Sequence, residues 1–310
     1  MTVVLDRKGS SKDIYRVMRA GKVLNLRFHF SDRVSILDLG GLPVLFPGLG
    51  QLRCAIAGYL FQRMTKVGFH THYLTHNVAE ATMDVYPFEI EELGVTYNGV
   101  RMGRILGIEI IDRRLVTPKL LDRYHRGELP RKAISALLSD DVLEEGSRLH
   151  PAFVECTTKY QAADRYVTDE EAATLANVPL EWLKKRCYSE VKSASDYLFG
   201  LFEQAGFIRH DGKFEGGVLY SNNRFIFADS MSPDEMRLIG PDGRSYDKDP
   251  VRQWYQQTFP DWYAEVVAAK KSHPLDKSWW PTYPAEAPPP EVIEDVVARY
   301  RTVAERLGAL

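Results

Sequence analysis

Cysteine is scarce in this chain of 310 residues: Cys54, Cys156 and Cys187 stand far apart, with no Cys-x-x-Cys and no histidine pair at zinc spacing. That scarcity argues against a disulfide framework or a structural zinc and favours a reducing compartment. Long apolar runs are missing too. No stretch approaches the ~18 consecutive apolar residues of a membrane span, and the N-terminal residues show no apolar run followed by a cleavage site. Charge of one sign is also absent. Forty Lys and Arg stand against 42 Asp and Glu, a formal net charge of −2, so the balance draws the chain to neither nucleic acid nor an anionic membrane. An anionic small substrate would be held by local basic clusters instead. There is no internal repeat, and the one biased tract is a proline-rich connector. With 45% hydrophobic and 26% charged residues, the expectation is a soluble, cytoplasmic globular protein of one or two domains.

What is present reads as an α+β protein. The first ~105 residues are mainly strands and turns. Val23 to Phe30 and Val34 to Leu39 are strand-like, and Leu52 to Thr65 carries apolar residues at helical spacing, closed by Gly68. Ile90 to Ile111 returns to strand character. Short helices are expected at 120–124 and 133–138. Thr168 with Glu171 forms a capping box for a helix to about Asn177. A longer amphipathic helix runs from Pro179 to a Gly206 cap, and a last one covers Glu291 to Leu307. The expected division is a β-rich lobe over 1–105 and an α+β lobe over 106–310, with a nucleotide in the cleft between them.

The most informative stretch is Asp211 to Arg237. Lys213 to Tyr220 and Arg224 to Ala228 are rich in aromatic and β-branched residues, and Ser221, Asn222 and Asn223 between them are turn formers, so the segment predicts a β-hairpin. A three-residue loop sets Glu215 opposite Asp229, and a two-residue loop sets it one position off. Either way two carboxylates lie within roughly 5 to 8 Å. Lys213 shares the strand face of Glu215, because side chains repeat every second residue. Two acids beside a lysine, then Ser-Pro-Asp and an arginine, suit a magnesium–nucleotide site. An ordinary hairpin with solvated charges is the plain alternative.

Asp211-x-Lys213-x-Glu215-x-Gly217, the hairpin, and Asp229-x-x-Ser232-Pro233-Asp234-x-x-Arg237 together resemble the signature of the SAICAR synthetase family, phosphoribosylaminoimidazole-succinocarboxamide synthases. The likeness extends along most of the chain. Gly21-Lys22-Val23 resembles an opening Gly-Lys-Val turn, and Ser31 to Asp38 resembles Ser-Asp-Arg-Ile-Ser-Ala-Phe-Asp. Phe46 to Gly50, Thr71-His72, Phe153 to Lys159 with Asp164, Asp247-Lys248 with Val251-Arg252, and Pro290 to Gly308 follow in the family's order. The resemblance implies a two-lobed fold, a small lobe gripping phosphates and a larger one carrying metal and substrate. It also implies a ligase that uses ATP to join aspartate to the carboxylate of an aminoimidazole ribonucleotide.

Carried over residue by residue, the resemblance implies Glu215 and Asp229 as Mg²⁺ ligands. Lys213 becomes a phosphate partner and Asp211 an orienting group, the two catalytic candidates. Lys22 would meet the ATP phosphates, with Ser35 and the Gly48-to-Gly50 turn closing over the nucleotide. Arg113, Lys119 and Arg237 form a clamp for a substrate phosphate. Lys159 and Asp164 would pair with the amino acid, and Lys248 and Arg252 are further substrate candidates that read equally as a solvated helix face. Several positions depart from the pattern: Leu24 and Leu49 replace cations, Pro118-Lys119 replaces Gly-Ser, Ser230 replaces a glutamate, Glu235-Met236 replaces a small pair, and Gly216 replaces phenylalanine. They point to a divergent paralogue that keeps ATP-dependent ligation and takes a related azole carboxylate, in purine-related or C-nucleoside antibiotic biosynthesis. The implied partners are the carboxylate and an amino acid, with a homo-oligomer left open. A phosphotransferase and a non-catalytic nucleotide-binding protein are the competing readings.

Overall fold

A computed structural model describes residues 1–99, 101–129, 131–138 and 142–310. The front of the chain winds β1 (Thr2–Lys8), β2 (Lys12–Arg19) and β3 (Lys22–Phe30) into an antiparallel meander. Then come the short pair β4 (Arg33–Ser35) and β5 (Gly41–Leu45), helix α1 (Leu49–Lys66), β6 (Tyr73–Asn77) and β7 (Thr82–Val85). The sheet order is β1-β2-β3-β7-β6. Alternation along β3 turns Val23, Leu26, Phe28 and Phe30 inward onto α1, as a half-buried sheet requires. The strands β1 and β2 were not expected from sequence, although Ile14 to Met18 has β-forming residues in succession.

The second sheet starts at β8 (Gly103–Ile105) and β9 (Ile108–Leu115). Helices α2 (Pro118–His125) and α3 (Arg131–Ser135) follow, then β10 (Arg148–Thr158) and β11 (Tyr166–Val167). Helix α4 (Asp169–Leu175) begins on the expected Thr168 cap, whose hydroxyl accepts from the Glu171 amide at 3.2 Å. Helix α5 (Leu180–Trp182) passes through a π-helical turn into α6 (Ser189–Gln204), and Gly206 follows at φ 80°. The hairpin is β12 (Ile208–Leu219) and β13 (Phe225–Ala228), with β14 (Met236–Ile239) beside it. The chain ends in α7 (Asp249–Thr258), α8 (Pro260–Ser272) and α9 (Pro290–Leu307). The expected strand at 90–111 is thus a short helical turn, then β8 and part of β9.

One strand organises this half. The first part of β12 pairs with β9 and β14, and its second part pairs with β13 and β8. The hydrophobic core is continuous across both sheets, from Phe28 and Phe61 through Phe214 to Tyr300. Helix α9 returns from the C-terminal end to pack on α1, its Val296, Tyr300, Val303 and Leu307 stripe buried as expected. Among the described residues, no helix is long and apolar enough to cross a membrane.

Candidate active site

Strand alternation builds the site. In β12, Asp211, Lys213 and Glu215 point one way while Phe214 enters the core. The register Asp211↔Arg113 and Lys213↔Ile111 places Glu109 and Arg113 of β9 on that same face, and Phe153↔Arg113 with Glu155↔Ile111 adds Glu155 of β10. A sheet face with this many ionisable groups pairs them within itself. Lys213 donates to Glu109 at 2.8 Å. Arg113, 4% exposed, spends its guanidinium on Glu155 (2.8 Å), Asp211 (2.9 Å) and the Tyr166 hydroxyl (2.9 Å). The opposite face shows what a structural pair looks like: Asp112, fully buried, is clamped by Arg209 and Ser195 and ties the sheet to α6.

The hairpin loop is longer than either expected form. Leu219 faces Arg224, so four residues, 220–223, make the turn, and Glu215 lies opposite Ala228, one position from Asp229. Asp229 itself has φ 64°, a left-handed conformation that Asp tolerates better than most residues. His72 holds it there, donating from Nε2 to the Asp229 carbonyl at 2.9 Å. Burial brings His72 down to about 4, so the imidazole stays neutral at pH 7 and keeps one ring nitrogen as donor.

Each of the two acids faces a lysine. Lys12 contacts both Asp229 oxygens, at 2.9 and 3.0 Å, and Lys159 is ion-paired with Glu215. Their protonation is driven apart. Burial raises the Glu215 carboxyl, the Asp229 charge raises it further, and Lys159 only partly offsets them. Burial would raise Asp229 too, but Lys12 and Lys159 hold it well below the usual carboxylate range. Burial opposes the charge on Lys12, Lys159 and Lys213, yet the surrounding carboxylates keep all three above the ordinary lysine value. They remain ammonium ions. A third acid, Glu235, accepts from the Ser232 amide (2.9 Å) and hydroxyl (2.8 Å). Burial and the neighbouring Asp234 charge push it up to about 7.

Two cavities meet this charged face. One is walled by Ile14, Leu26, Phe28 and Val85 of the front sheet and by Phe88 and Ile105, with Lys159, Glu215 and Asp229 at one end and Lys8-Gly9 in its rim. Its apolar walls suit a flat base, and its charged end suits phosphates. The other, about 1480 Å³, is lined by Lys119, Arg123, Glu155, Asp164 and Tyr166, and by Asp38 and Lys270. That is more than the ~300–1,000 Å³ of a single small-ligand pocket.

Other candidates lie elsewhere. Lys22 is exposed at the β2–β3 turn and does not line the nucleotide cavity; the cation at Asp229 is Lys12. Leu24 is exposed beside Lys22, and Leu49 is fully buried, so its place is in the core. The Gly48 and Gly50 amides donate to the Asp32 carboxylate at 3.2 and 2.8 Å, which occupies them within the fold. Ser35 lies in β4, outside the nucleotide-cavity lining. Lys248 approaches Asp234 at 3.4 Å, and Arg252 pairs with Asp249 on α7; neither lines these cavities. Arg237 is 44% exposed and 4.0 Å from Asp211, and Lys119 stands over the Tyr166 ring at 4.9 Å. Pro118 occupies the first position of α2 behind the Thr117 cap, where its missing N–H has no helical partner to lose.

Sequence reasoning missed Lys12, Glu109 and Glu235 as members of this site. Glu109 had a signal, a lone glutamate among Ile108, Ile110 and Ile111. Another buried contact links two of the motifs. Arg53 of α1, 1% exposed, donates to the Ser31 and Arg33 carbonyls at 2.7 Å and is paired with Asp234 at 2.5 Å.

Two hard-oxygen donors on one wall fit Mg²⁺, which takes one or two carboxylates and completes its shell with phosphate and water. Among the described residues no group of three or more His, Cys, Asp or Glu is arranged to cage a metal.

Residues 5–269 match the family model described as SAICAR synthetase. A putative phosphoribosylaminoimidazole-succinocarboxamide synthase of Archaeoglobus fulgidus is 26% identical, over 94% of this chain and 91% of its own length. The solved SAICAR synthase of Saccharomyces cerevisiae, complexed with SAICAR, aligns at a TM-score of 0.67 and 18% identity, covering 98% of this chain and 94% of that one. A type-2 SAICAR synthetase in complex with ADP aligns at 0.60 and 22% identity, covering 81% and 90%. The structural likenesses establish the α+β fold, and the match across most of the sequence establishes the family. This chain belongs to the SAICAR synthetase family of ATP-dependent carbon–nitrogen ligases.

Proposed function

We propose that the protein joins aspartate to the carboxylate of an aminoimidazole ribonucleotide or a closely related azole, converting ATP to ADP and phosphate. The observation that carries this reading is the wall shared by Glu215 and Asp229, with Lys12 and Lys159 against them, at the charged end of an apolar cavity. The relatives' names supply the substrate class, and the ADP and SAICAR complexes of family members support a nucleotide and an azole product.

An amide cannot form directly from a carboxylate, because hydroxide is a poor leaving group. ATP solves this when a substrate carboxylate oxygen takes the γ-phosphoryl group and ADP departs. The amine then attacks the activated carbon, the carbon–oxygen bond to phosphate breaks, and the amine gives up a proton. Positioning and charge neutralisation dominate phosphoryl transfer. In our reading the apolar cavity takes the base, while Lys12 and Lys159 hold Asp229 ionised and Lys159 partly offsets the upward push on Glu215. The two acids would hold Mg²⁺, which when bound neutralises phosphate oxygens. Lys213, held by Glu109, stays cationic beside the reacting carboxylate, and Asp211 fixes Arg113. Lys119 and Arg237 supply charge for a substrate phosphate, and Asp164 lines the same cavity as Lys119. A setting in purine-related or C-nucleoside antibiotic biosynthesis is part of this proposal.

Incubation of the protein with Mg·ATP, aspartate and the azole carboxylate nucleotide, read by mass spectrometry and phosphate release, tests it. An amide appearing with equimolar ADP and phosphate is the expected result. A phosphoester without free phosphate would mean a phosphotransferase, and nucleotide binding without turnover a non-catalytic paralogue.

A further inference from the structure

Residues 270–310 lie beyond the segment that the family model matches, yet they grip a loop at the site. The grip falls on residues 36–40, between β4 and β5. Lys270, at the end of α8, donates to the Leu37 carbonyl at 3.1 Å and to the Asp38 carboxylate at 2.5 Å. Lys277 donates to the Asp38 carbonyl at 2.8 Å. The Tyr283 hydroxyl lies 2.8 Å from the Ile36 carbonyl and 3.0 Å from that of Gly40, and it accepts from the Ile36 amide at 3.2 Å. Three side chains from outside the matched segment thus hold five residues of the front half.

The loop needs holding. Leu37 and Asp38 have φ of 55° and 59°. Two successive non-glycine residues in the left-handed region are costly, since Cβ crowds the following carbonyl, and leucine has no polar side chain to compensate. Such strain persists only where surrounding structure over-determines it, and it gathers at functional sites. The result here is placement: Asp38 lines the large cavity together with Lys119 and Arg123.

Chemistry narrows what Asp38 meets there. Glu155 is engaged by Arg113 and Arg123, Glu128 by Arg123 and Arg126, and Asp169 by Lys184. Asp164 and Glu170 of the same lining are not ion-paired among the described residues. On Asp38, Lys270 contacts Oδ2, while Oδ1 has no hydrogen-bond partner among the described residues. A carboxylate oxygen only accepts, so the matching ligand group is an N–H donor such as a primary amine. Anionic ends have separate partners in Lys119, Lys192 and Lys271 of the same lining, none of them ion-paired among the described residues.

We propose that Asp38 recognises the amine of the incoming amino acid, and that Lys270, Lys277 and Tyr283 are positioning residues that strap its loop into the cavity. The recognition role rests on the ligase reading above, whereas the strap does not. The test uses the full chain and two variants: Asp38→Asn and the double variant Tyr283→Phe with Lys277→Gln. Michaelis constants are measured for ATP, azole carboxylate and amino acid, with amide hydrogen exchange over residues 35–41 and Tm as a check on folding. Asp38→Asn and the double variant should raise the amino-acid KM tenfold or more and leave the ATP KM within twofold. Exchange at Ile36 and Leu39 should quicken at least tenfold in the double variant and stay unchanged in Asp38→Asn. An unchanged amino-acid KM in Asp38→Asn, or an equal rise for ATP, overturns the recognition role. Unchanged exchange in the double variant overturns the strap. A wild-type chain that forms no amide removes the ligase reading and the recognition role with it, and the exchange result still decides the strap.

Discussion

At the scale of single residues, the site is a set of buried charges kept ionised, or kept from ionising, by one another. Glu215→Gln and Asp229→Asn preserve shape and remove the charge a hard cation needs. Each should reduce turnover to near background at limiting Mg²⁺ while leaving Tm close to wild type, and wild-type rates in either would sink the metal assignment. Glu235 makes a different prediction. Its carboxyl titrates near 7 in the fold against an ordinary value of 4.5, so the native state binds this proton more tightly than the unfolded chain. The stabilisation is complete below about pH 4.5 and is lost as pH rises through 7, on the order of 3 kcal/mol at most for so coupled a group. Glu235→Gln cannot ionise. Denaturant unfolding without nucleotide should show the variant gaining on wild type from pH 4.5 to 8, and parallel profiles would contradict the burial argument.

At the scale of elements, β12 joins the two parts of the second sheet and carries Asp211, Lys213 and Glu215 on one face. A close packing contact explains one departure from the family pattern. A Cβ on Gly216 would lie 2.2 Å from the Phe225 ring, so the ring on β13 occupies the space that a side chain at 216 would need. Gly216→Ala should therefore cost roughly 1–3 kcal/mol of stability, seen as a lower midpoint in thermal unfolding. Much of this element was legible. Two β-rich runs flanking turn formers gave the hairpin, and period-two alternation gave the shared face. The register was not, because the four-residue turn depends on backbone bonding at Leu219, Asn223 and Arg224 that composition does not specify. Lys12 and Glu109 were hidden for a related reason: their roles arise from strands far apart in sequence that meet only once both sheets are built. The Lys22 expectation rested on the resemblance of Gly21-Lys22-Val23 to an opening turn of the family, and Gly21 and Lys22 lie at an exposed turn. In the proposed function, β14 and the start of α2 bring Arg237 and Lys119 to the substrate phosphate. Arg237→Ala should weaken use of a phosphorylated azole at least tenfold more than that of its dephosphorylated analogue. An equal effect on both forms would show that the clamp serves something other than phosphate.

For the whole molecule, the front sheet and the β12 sheet enclose a base-sized apolar cavity lined also by Lys159, Glu215 and Asp229. One continuous core holds them together, closed by α9 on α1. The composition showed a globular protein able to build such a core, and the motif order showed which family had built it. The strap from 270–283 left no comparable trace, since lysine and tyrosine in a polar, proline-rich tail look like solvated surface until the loop at 36–40 is folded beneath them. The central claim for the assembled molecule is that ATP activates the substrate carboxylate. The most direct measurement follows an oxygen atom. With both oxygens of the azole carboxylate labelled with ¹⁸O, the account predicts one label in the released phosphate and one retained in the product amide, at every turnover. Unlabelled phosphate accompanying amide formation would contradict it.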